Sequence, residues 1–381
     1  MRSVTISGVI LLSCVMLSLV IANSSLGYYF ERLLAAPIGI QIAGYHLRYS
    51  ILSWINDGLM AVFFLMVGLE IKREMVKGEL ASAKKAALPI VAAIGGALTP
   101  ALIYHLFNQG AQTAGGWGIP MATDIAFALA IISLLGKNVP LSLKIFLAAL
   151  AIVDDLIAIL VIAVFYTHNL HIGSLLIALG LFLILLFFNQ IRKQNLLWYL
   201  IPGIFIWYFI HQSGIHPTIA GVLIATTVPI ALDKRPSPLQ KLEHHLQLPV
   251  NLIIMPLFAL ANTNIRFETS MLQDLNTPLG LGIILGLLVG KPIGITLTSW
   301  VFVKLKIASL PNMASWSHML GVGLLAGIGF TMSVFIALLS FKGKPELMSE
   351  AKFAILVAST LSAIFGSVLL KSISGRRKPT I

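Results

Sequence analysis

Charge is scarce in this chain. Only 10% of its 381 residues are Asp, Glu, Lys or Arg, against 58% that are hydrophobic. A water-soluble domain of this length needs far more polar side chains to cover its surface, so that class is excluded. A single cysteine, Cys14, excludes an intrachain disulfide and leaves the redox compartment unread. No G-x-x-x-x-G-K-[ST] phosphate loop occurs, which removes that route to nucleotide-driven work. Acids are rarer still, 14 against 26 Lys and Arg, for a net charge of +12.

What the chain has instead is long apolar runs. Mean hydropathy is +0.94, and blocks of roughly 17–25 residues, the length that crosses a bilayer, recur from end to end. A sliding reading predicts about twelve transmembrane helices, at 4–22, 51–70, 86–107, 117–135, 141–166, 172–189, 196–211, 214–231, 249–263, 279–303, 318–341 and 349–371. The expected fold is an all-α polytopic membrane protein, read as one membrane domain over 1–381 with a tail at 372–381. Arg2, an apolar stretch and Ala22 resemble a signal peptide, but with so many later spans an uncleaved first helix is the simpler reading.

The basic residues set the orientation. Arg2, Lys72, Arg73, Lys77, Lys84, Lys85, Lys137, Arg192, Lys193, Lys234, Arg235, Lys241, Lys304, Lys306, Lys371, Arg376, Arg377 and Lys378 fall on one side. Arg32, Arg48, Arg266, Lys342, Lys344 and Lys352 fall on the other, while Lys144 and Lys291 lie within spans. Eighteen against six places both termini in the cytoplasm. The positive balance is thus a topology signal with affinity for anionic lipid, and no nucleic-acid partner is expected. Outside the membrane, residues 37–50 alternate apolar and other side chains around Gly44, which reads as a short outer β-hairpin or as an ordered loop.

An ionised side chain at the bilayer centre costs about 2.5–3.5 kcal/mol, so charges at that depth need a reason. Asp154 and Asp155 sit midway along 141–166, and neighbouring helical positions about 100° apart share one sector. Two carboxylates there cannot both ionise cheaply. Proton and small hard cation become alternatives at one oxygen site; the competing reading is a structural pair bonded to neighbouring helices. Asp124 follows Gly115, Gly116, Gly118 and Pro120, poor helix formers in a span that carries a carboxylate. Such a broken helix lines a cavity, and Asp124 either compensates a half-helix N-terminus or ligates an ion. A second glycine-rich span, Gly321–Phe335, echoes it, with Thr331 and Phe335 spaced like Thr123 and Phe127. Lys291 lies about 18 Å from either end of its span, too deep for its stem to snorkel. An ion pair with a buried aspartate accounts for it better. Asp57, nearer a span end, reads equally as functional or structural.

The segments Asn56–Glu74, Pro120–Leu129, Ile152–Leu156, Gly214–Gly221 and Gly290–Pro292 resemble the NhaA-type sodium/proton antiporters, and the likeness runs over nearly the whole chain. The resemblance implies twelve helices in inverted repeats, with the fourth and eleventh interrupted and crossing. It implies that Asp155 is the principal Na+ ligand, that Asp154 exchanges between the ion and Lys291, and that Thr123 and Asp124 occupy the crossing. It also implies a pH-response cluster of Glu70, Arg73, Glu74, Glu243 and His244, with His216 linked to it, and a homodimer joined through the 37–50 hairpin. The implied activity is electrogenic, pH-regulated export of Na+ or Li+ in exchange for H+ across the bacterial inner membrane. No cofactor is called for.

The residues support parts of this independently. Glu70, Arg73 and Glu74 fall at i, i+3 and i+4 on one helix face, although interfacial anchoring charges would look the same. His216 in Gly-Ile-His-Pro reads also as a satisfied loop histidine. One departure stands out: Gln247 replaces the histidine common in the family and cannot titrate, which bears on the pH response and leaves the exchange chemistry alone. Rival classes fit less well. Intramembrane aspartyl proteases share a Gly-x-Gly-Asp motif absent here, a prenyltransferase wants spaced acidic repeats, and a passive cation channel would conduct without coupling.

Overall fold

The computed structural model describes residues 2–42, 45–136, 139–167, 170–231 and 237–375. Gly44 of the expected hairpin, the basic residues Lys137, Lys234, Arg235, Arg376, Arg377 and Lys378, and most of the expected tail (376–381) lie outside the described residues. Along the chain run α1 (Arg2–Ala22), α2 (Gly27–Ala35), β1 (Pro37–Ile42), β2 (Tyr45–Ser50), α3 (Ile51–Lys77), α4 (Ala83–Asn108), α5 (Ile125–Leu134), α6 (Leu141–Phe165) and α7 (Ile172–Gln190). There follow α8 (Leu197–Ser213), α9 (Thr218–Thr227), α10 (Pro238–Asn262), α11 (Pro278–Lys304), α12 (Trp316–Ala326), α13 (Phe330–Ser340) and α14 (Pro345–Gly375).

Among the described residues, eight helical stretches are long and apolar enough to cross a membrane, ten if each bent pair is one span. The bent pairs are α1 with α2, turned by 111°, and α12 with α13, turned by 48°. The remaining two expected spans correspond to α8 and α9, of 17 and 10 residues. The protein is therefore an all-α polytopic membrane protein, with one small sheet among the described residues. α10 starts well before the expected limit at 249. Ser237 caps it through a reciprocal capping box with Gln240, and Pro238 takes the first turn, where a missing N–H costs nothing. Glu243 and His244 thereby lie on a helix.

The 37–50 segment is a hairpin. β1 and β2 pair antiparallel from Pro37 opposite Ser50 to Ile42 opposite Tyr45. Gly39 has φ +138°, and a Cβ there would overlap the Leu47 carbonyl, so glycine is required. Trp54 Nε1 donates to Ile38 O at 3.0 Å, tying the strand to the head of α3.

The chain forms two compact units. The first comprises Met1–Val9, Lys77–Leu160 and Phe267–Ile381; the second comprises Ile10–Val76 and Val161–Arg266. In the first, α4 packs on α11 at Gly95 and Gly294, where any Cβ would strike the opposing backbone. Small residues allow this approach, and close packing is what joins helices where lipid removes the hydrophobic incentive. Its core joins Leu143, Leu147 and Leu150 of α6 to Ala128 and Ile132 of α5 and Leu325 of α12. Those α6 positions are spaced 4 and 3 apart, and Asp154 is the next position on the same stripe. The second unit is centred on Leu65 and Leu69 of α3 with Tyr199, Ile206, Ile224 and Leu242.

Candidate functional site

Two interrupted spans meet in the first unit. Ahead of α5 the chain forms a 3₁₀ helix over Ala114–Met121 and then runs extended through Ala122 to Asp124. α12 ends at Ala326 and α13 begins at Phe330. The two breaks are joined by the Asp124 N–H, which donates to Ile328 O at 2.6 Å. The Asp124 carboxylate then serves two helix starts at once. It accepts the Phe127 N–H at 3.1 Å as the N-cap of α5, and the Thr331 N–H at 3.0 Å at the head of α13. The Thr331 hydroxyl bonds the same carboxylate. Each half-helix N-terminus carries partial positive charge and unsatisfied amides, so a single buried anion answers both. Of the two roles open to Asp124, this geometry is that of a shared cap.

Beside the crossing lies the ion pair. Lys291 Nζ is 2.6 Å from Asp154 Oδ2, and both side chains are fully shielded from solvent. The ammonium also donates to the Met121 carbonyl, at the C-terminal end of the 3₁₀ helix, where partial charge is negative. Lys291 is aimed by a wider π-helical turn, Gly286–Gly290, immediately before it. Thr123 Oγ1 sits 2.6 Å from Asp154 Oδ2 and 2.9 Å from Ala326 O. A hydroxyl has one proton, so Thr123 serves the carboxylate or the end of α12, one at a time. The other Asp154 oxygen, Oδ1, accepts no hydrogen bond among the described residues. Asp155 is 1% exposed and within the field of Lys291. Among the described residues, no three His, Cys, Asp or Glu side chains converge as a resident metal site would require.

The remaining candidates form two groups in the second unit. Arg73 bridges Glu74 Oε1 at 2.8 Å and Glu243 Oε1 at 2.9 Å. Glu70, half-buried, lies in the combined field of Glu243, Arg73 and Glu74. Between them Lys72 Nζ closes α9, donating to Thr226 O at 2.7 Å and Val228 O at 2.6 Å. His244 is exposed, edge-on to the ring of His245. Thirteen residues up α3, roughly 20 Å away, Asp57 sits in a π-helical turn over Trp54–Leu59. Its carboxylate lies 3.5 Å from His216 Nε2 and 3.9 Å from His211 Nε2. His216 is held by Thr218 Oγ1 at 2.8 Å, and His211 by Tyr49 OH of the hairpin at 3.4 Å. The structure thus sets His216 with Asp57, at the opposite end of α3 from the Glu70–Arg73 cluster.

The cost of a charge in lipid pointed to Asp57, Asp124, Asp154, Asp155 and Lys291, while Thr123 came from the spacing echo and the family resemblance. Sequence reading named Thr331 only through the spacing echo, and it passed over the carbonyls of Met121, Ala326 and Ile328, His211, and the hydroxyl of Ser359. A main-chain carbonyl has no sequence signature. His211 was visible only as a histidine at the end of an apolar run.

Interrupted apolar helices whose ends close on a buried carboxylate, next to a lysine–aspartate pair sealed from water, define a multi-pass membrane protein with a charged site within its helices. Comparison with known proteins narrows that class. The chain belongs to the Na+/H+ antiporter 1 family, whose model matches residues 1–370. It is 62% identical over 372 residues to Na(+)/H(+) antiporter NhaA 2 of Flavobacterium johnsoniae, covering 97% of this chain and 91% of that protein. It is 50% identical over 365 residues to Na(+)/H(+) antiporter NhaA of Flavobacterium psychrophilum, with 96% and 93% covered. The NhaA of Helicobacter pylori is 44% identical over 416 residues, with 98% and 95% covered.

Proposed function

We propose that this protein is an electrogenic, pH-regulated secondary antiporter that exports Na+, or Li+ as a similarly hard ion, in exchange for H+ across the bacterial inner membrane. The observation that carries the reading is the Asp154–Lys291 pair at 2.6 Å, sealed from water with Asp155 alongside. A carboxylate that holds a lysine in one state is free to hold a cation in another, provided the lysine or its proton leaves.

The cycle follows from that exchange. Facing an alkaline cytoplasm, the site gives up protons, Asp155 binds the ion, and Asp154 turns from Lys291 to add its oxygens. Facing outward, protons displace the ion and Asp154 returns to Lys291. Thr123 follows Asp154 or rests on Ala326 O, and Asp124 keeps both half-helix starts neutralised while the site changes occupant. More protons enter than ions leave, so net charge moves inward. One charge across ~100 mV supplies about 2.3 kcal/mol, enough to oppose a roughly fiftyfold ion gradient.

The Glu70–Arg73–Glu74–Glu243 cluster supports pH regulation, because its two ion pairs depend on carboxylates that share one guanidinium. His244 and His216 belong to the same proposal, with His216 acting through Asp57. Homodimerisation rests on the outer hairpin, and cytoplasmic termini rest on the distribution of Lys and Arg.

The test is exchange in proteoliposomes, driven by a pH gradient and followed between roughly pH 6 and pH 9, with membrane potential recorded. Wild type takes up Na+ against its gradient and shifts the potential; Asp155→Asn and Asp154→Asn lose that coupling. Coupled exchange preserved in Asp155→Asn would overturn the site. Sodium flux that ignores the proton gradient would make the protein a channel.

A further inference from the structure

We propose that Ser359, on α14, is a positioning residue for the ion site, acting through the N-terminus of α13. The inference rests on the reading that Asp154 and Asp155 hold the transported ion.

Ser359 is 5% exposed, in an apolar span where a hydroxyl brings no packing advantage over alanine. Its Oγ accepts the N–H of Phe330 at 3.2 Å, and Phe330 is the first residue of α13. That amide is one of the donors a helix start leaves without an internal partner. The next one, Thr331 N–H, goes to Asp124. Two adjacent amides at the break are therefore held from two directions, one by α14 and one by the crossing carboxylate. Asp124 in turn follows Thr123, whose hydroxyl reaches Asp154 Oδ2 at 2.6 Å. The path runs Ser359, Phe330, Thr331, Asp124, Thr123, Asp154, and every step is a hydrogen bond or a single peptide unit.

Ser362 provides the internal contrast. One turn further along α14 and fully buried, it lies against Gly327, where a Cβ would fall 2.9 Å from its Oγ. Its hydroxyl has no hydrogen-bond partner among the described residues. The two serines share a helix face and a burial, and one of them alone holds an amide of the break. Loss of the Ser359 hydroxyl frees the start of α13 to shift, which loosens the hold of Thr331 on Asp124 and misplaces Thr123 at the ion site.

The experiment measures Na+/H+ exchange by Ser359→Ala, Ser359→Cys, Ser362→Ala and wild type in proteoliposomes, with the amount of inserted protein measured separately. Ser359→Ala is expected to raise the apparent KM for Na+ about fivefold, equivalent to about 1 kcal/mol, with the maximal rate within about twofold of wild type. Ser359→Cys keeps the volume and offers a weaker acceptor, so its KM lies between the two; it carries the test if the alanine variant does not accumulate. Ser362→Ala keeps the wild-type KM. An unchanged KM in the Ser359 variants, an equal rise in Ser362→Ala, or a loss of inserted protein without a KM change in either Ser359 variant would overturn the proposal. Absence of coupled exchange in wild type would instead defeat the reading of the ion site.

Discussion

Lys291→Met, alone and combined with Asp154→Asn, tests the energetics of the site without reference to transport. Lys291 is 0% exposed and its Nζ lies 2.6 Å from Asp154 Oδ2. At an effective dielectric constant of about 20, two unit charges at that separation attract by about 6 kcal/mol. Desolvation of both ions consumes much of this, so the intact pair contributes little net stability. Removing one partner is different. Lys291→Met strands a buried carboxylate and takes the donor from Met121 O, at an expected cost of about 3–5 kcal/mol. Asp154→Asn strands the ammonium at a similar cost. The double variant leaves no uncompensated charge, so it should fall short of the summed single losses by about 2 kcal/mol or more. Thermal unfolding in detergent, followed by tryptophan emission, reads all four proteins. For a unit of roughly 200 residues, each single substitution lowers the midpoint by about 6–20 °C. Strict additivity, or a Lys291→Met protein that melts like wild type, would refute the idea that these two charges are held for one another.

Three other perturbations follow from the geometry. Asp124→Asn keeps an acceptor oxygen for only one of the Phe127 and Thr331 amides, which bond different carboxylate oxygens, and removes the charge shared by two half-helix starts; a loss of about 1–3 kcal/mol is expected, with slower exchange, and unchanged melting and rate would contradict the shared cap. Arg73→Gln breaks both ion pairs of the α3–α10 cluster. Because Arg73 is about a third exposed, stability should fall by no more than about 1 kcal/mol. The pH of half-maximal exchange should move by about half a unit or more, and a superimposable pH profile would remove the cluster from regulation. Replacing residues 37–50 with a short Gly-Ser linker spares the hairpin base, where Ile51 N–H already bonds Ala36 O at 3.1 Å. Native mass spectrometry should then show monomers that still exchange ions, and a persistent dimer would place the contact elsewhere.

Several features could be read before any fold was known. Hydrophobic length is a local, additive property, so every expected span has a helix; limits drifted outward where polar helix continued past the apolar run, as in α10, and inward at α9, which covers only Thr218–Thr227 of the expected 214–231. Asp154, Asp155, Asp124 and Lys291 announced themselves because lipid makes an unexplained charge expensive. Alternation across residues 37–50 left a hairpin and a loop in competition; the ladder from Pro37 to Ser50 decides for the hairpin. The spacing echo of Thr123 and Thr331 proved to lie at the two helix breaks, and each residue contacts an aspartate.

Composition and spacing alone determined that the chain lives in a bilayer, which of its charged residues are costly there, and that the span ahead of Asp124 is broken; a second interrupted span was implied by the family resemblance. Pairing was decided by tertiary structure: Lys291 with Asp154, Thr331 with Asp124, His216 with Asp57, Arg73 with Glu243, and Ser359 with the amide of Phe330. The reason is rotational. A helix turns about 100° per residue, so the partner of a buried side chain depends on how each helix is rotated and how closely glycines such as Gly95 and Gly294 let backbones approach. Nothing in the order of residues along one span encodes that angle relative to another.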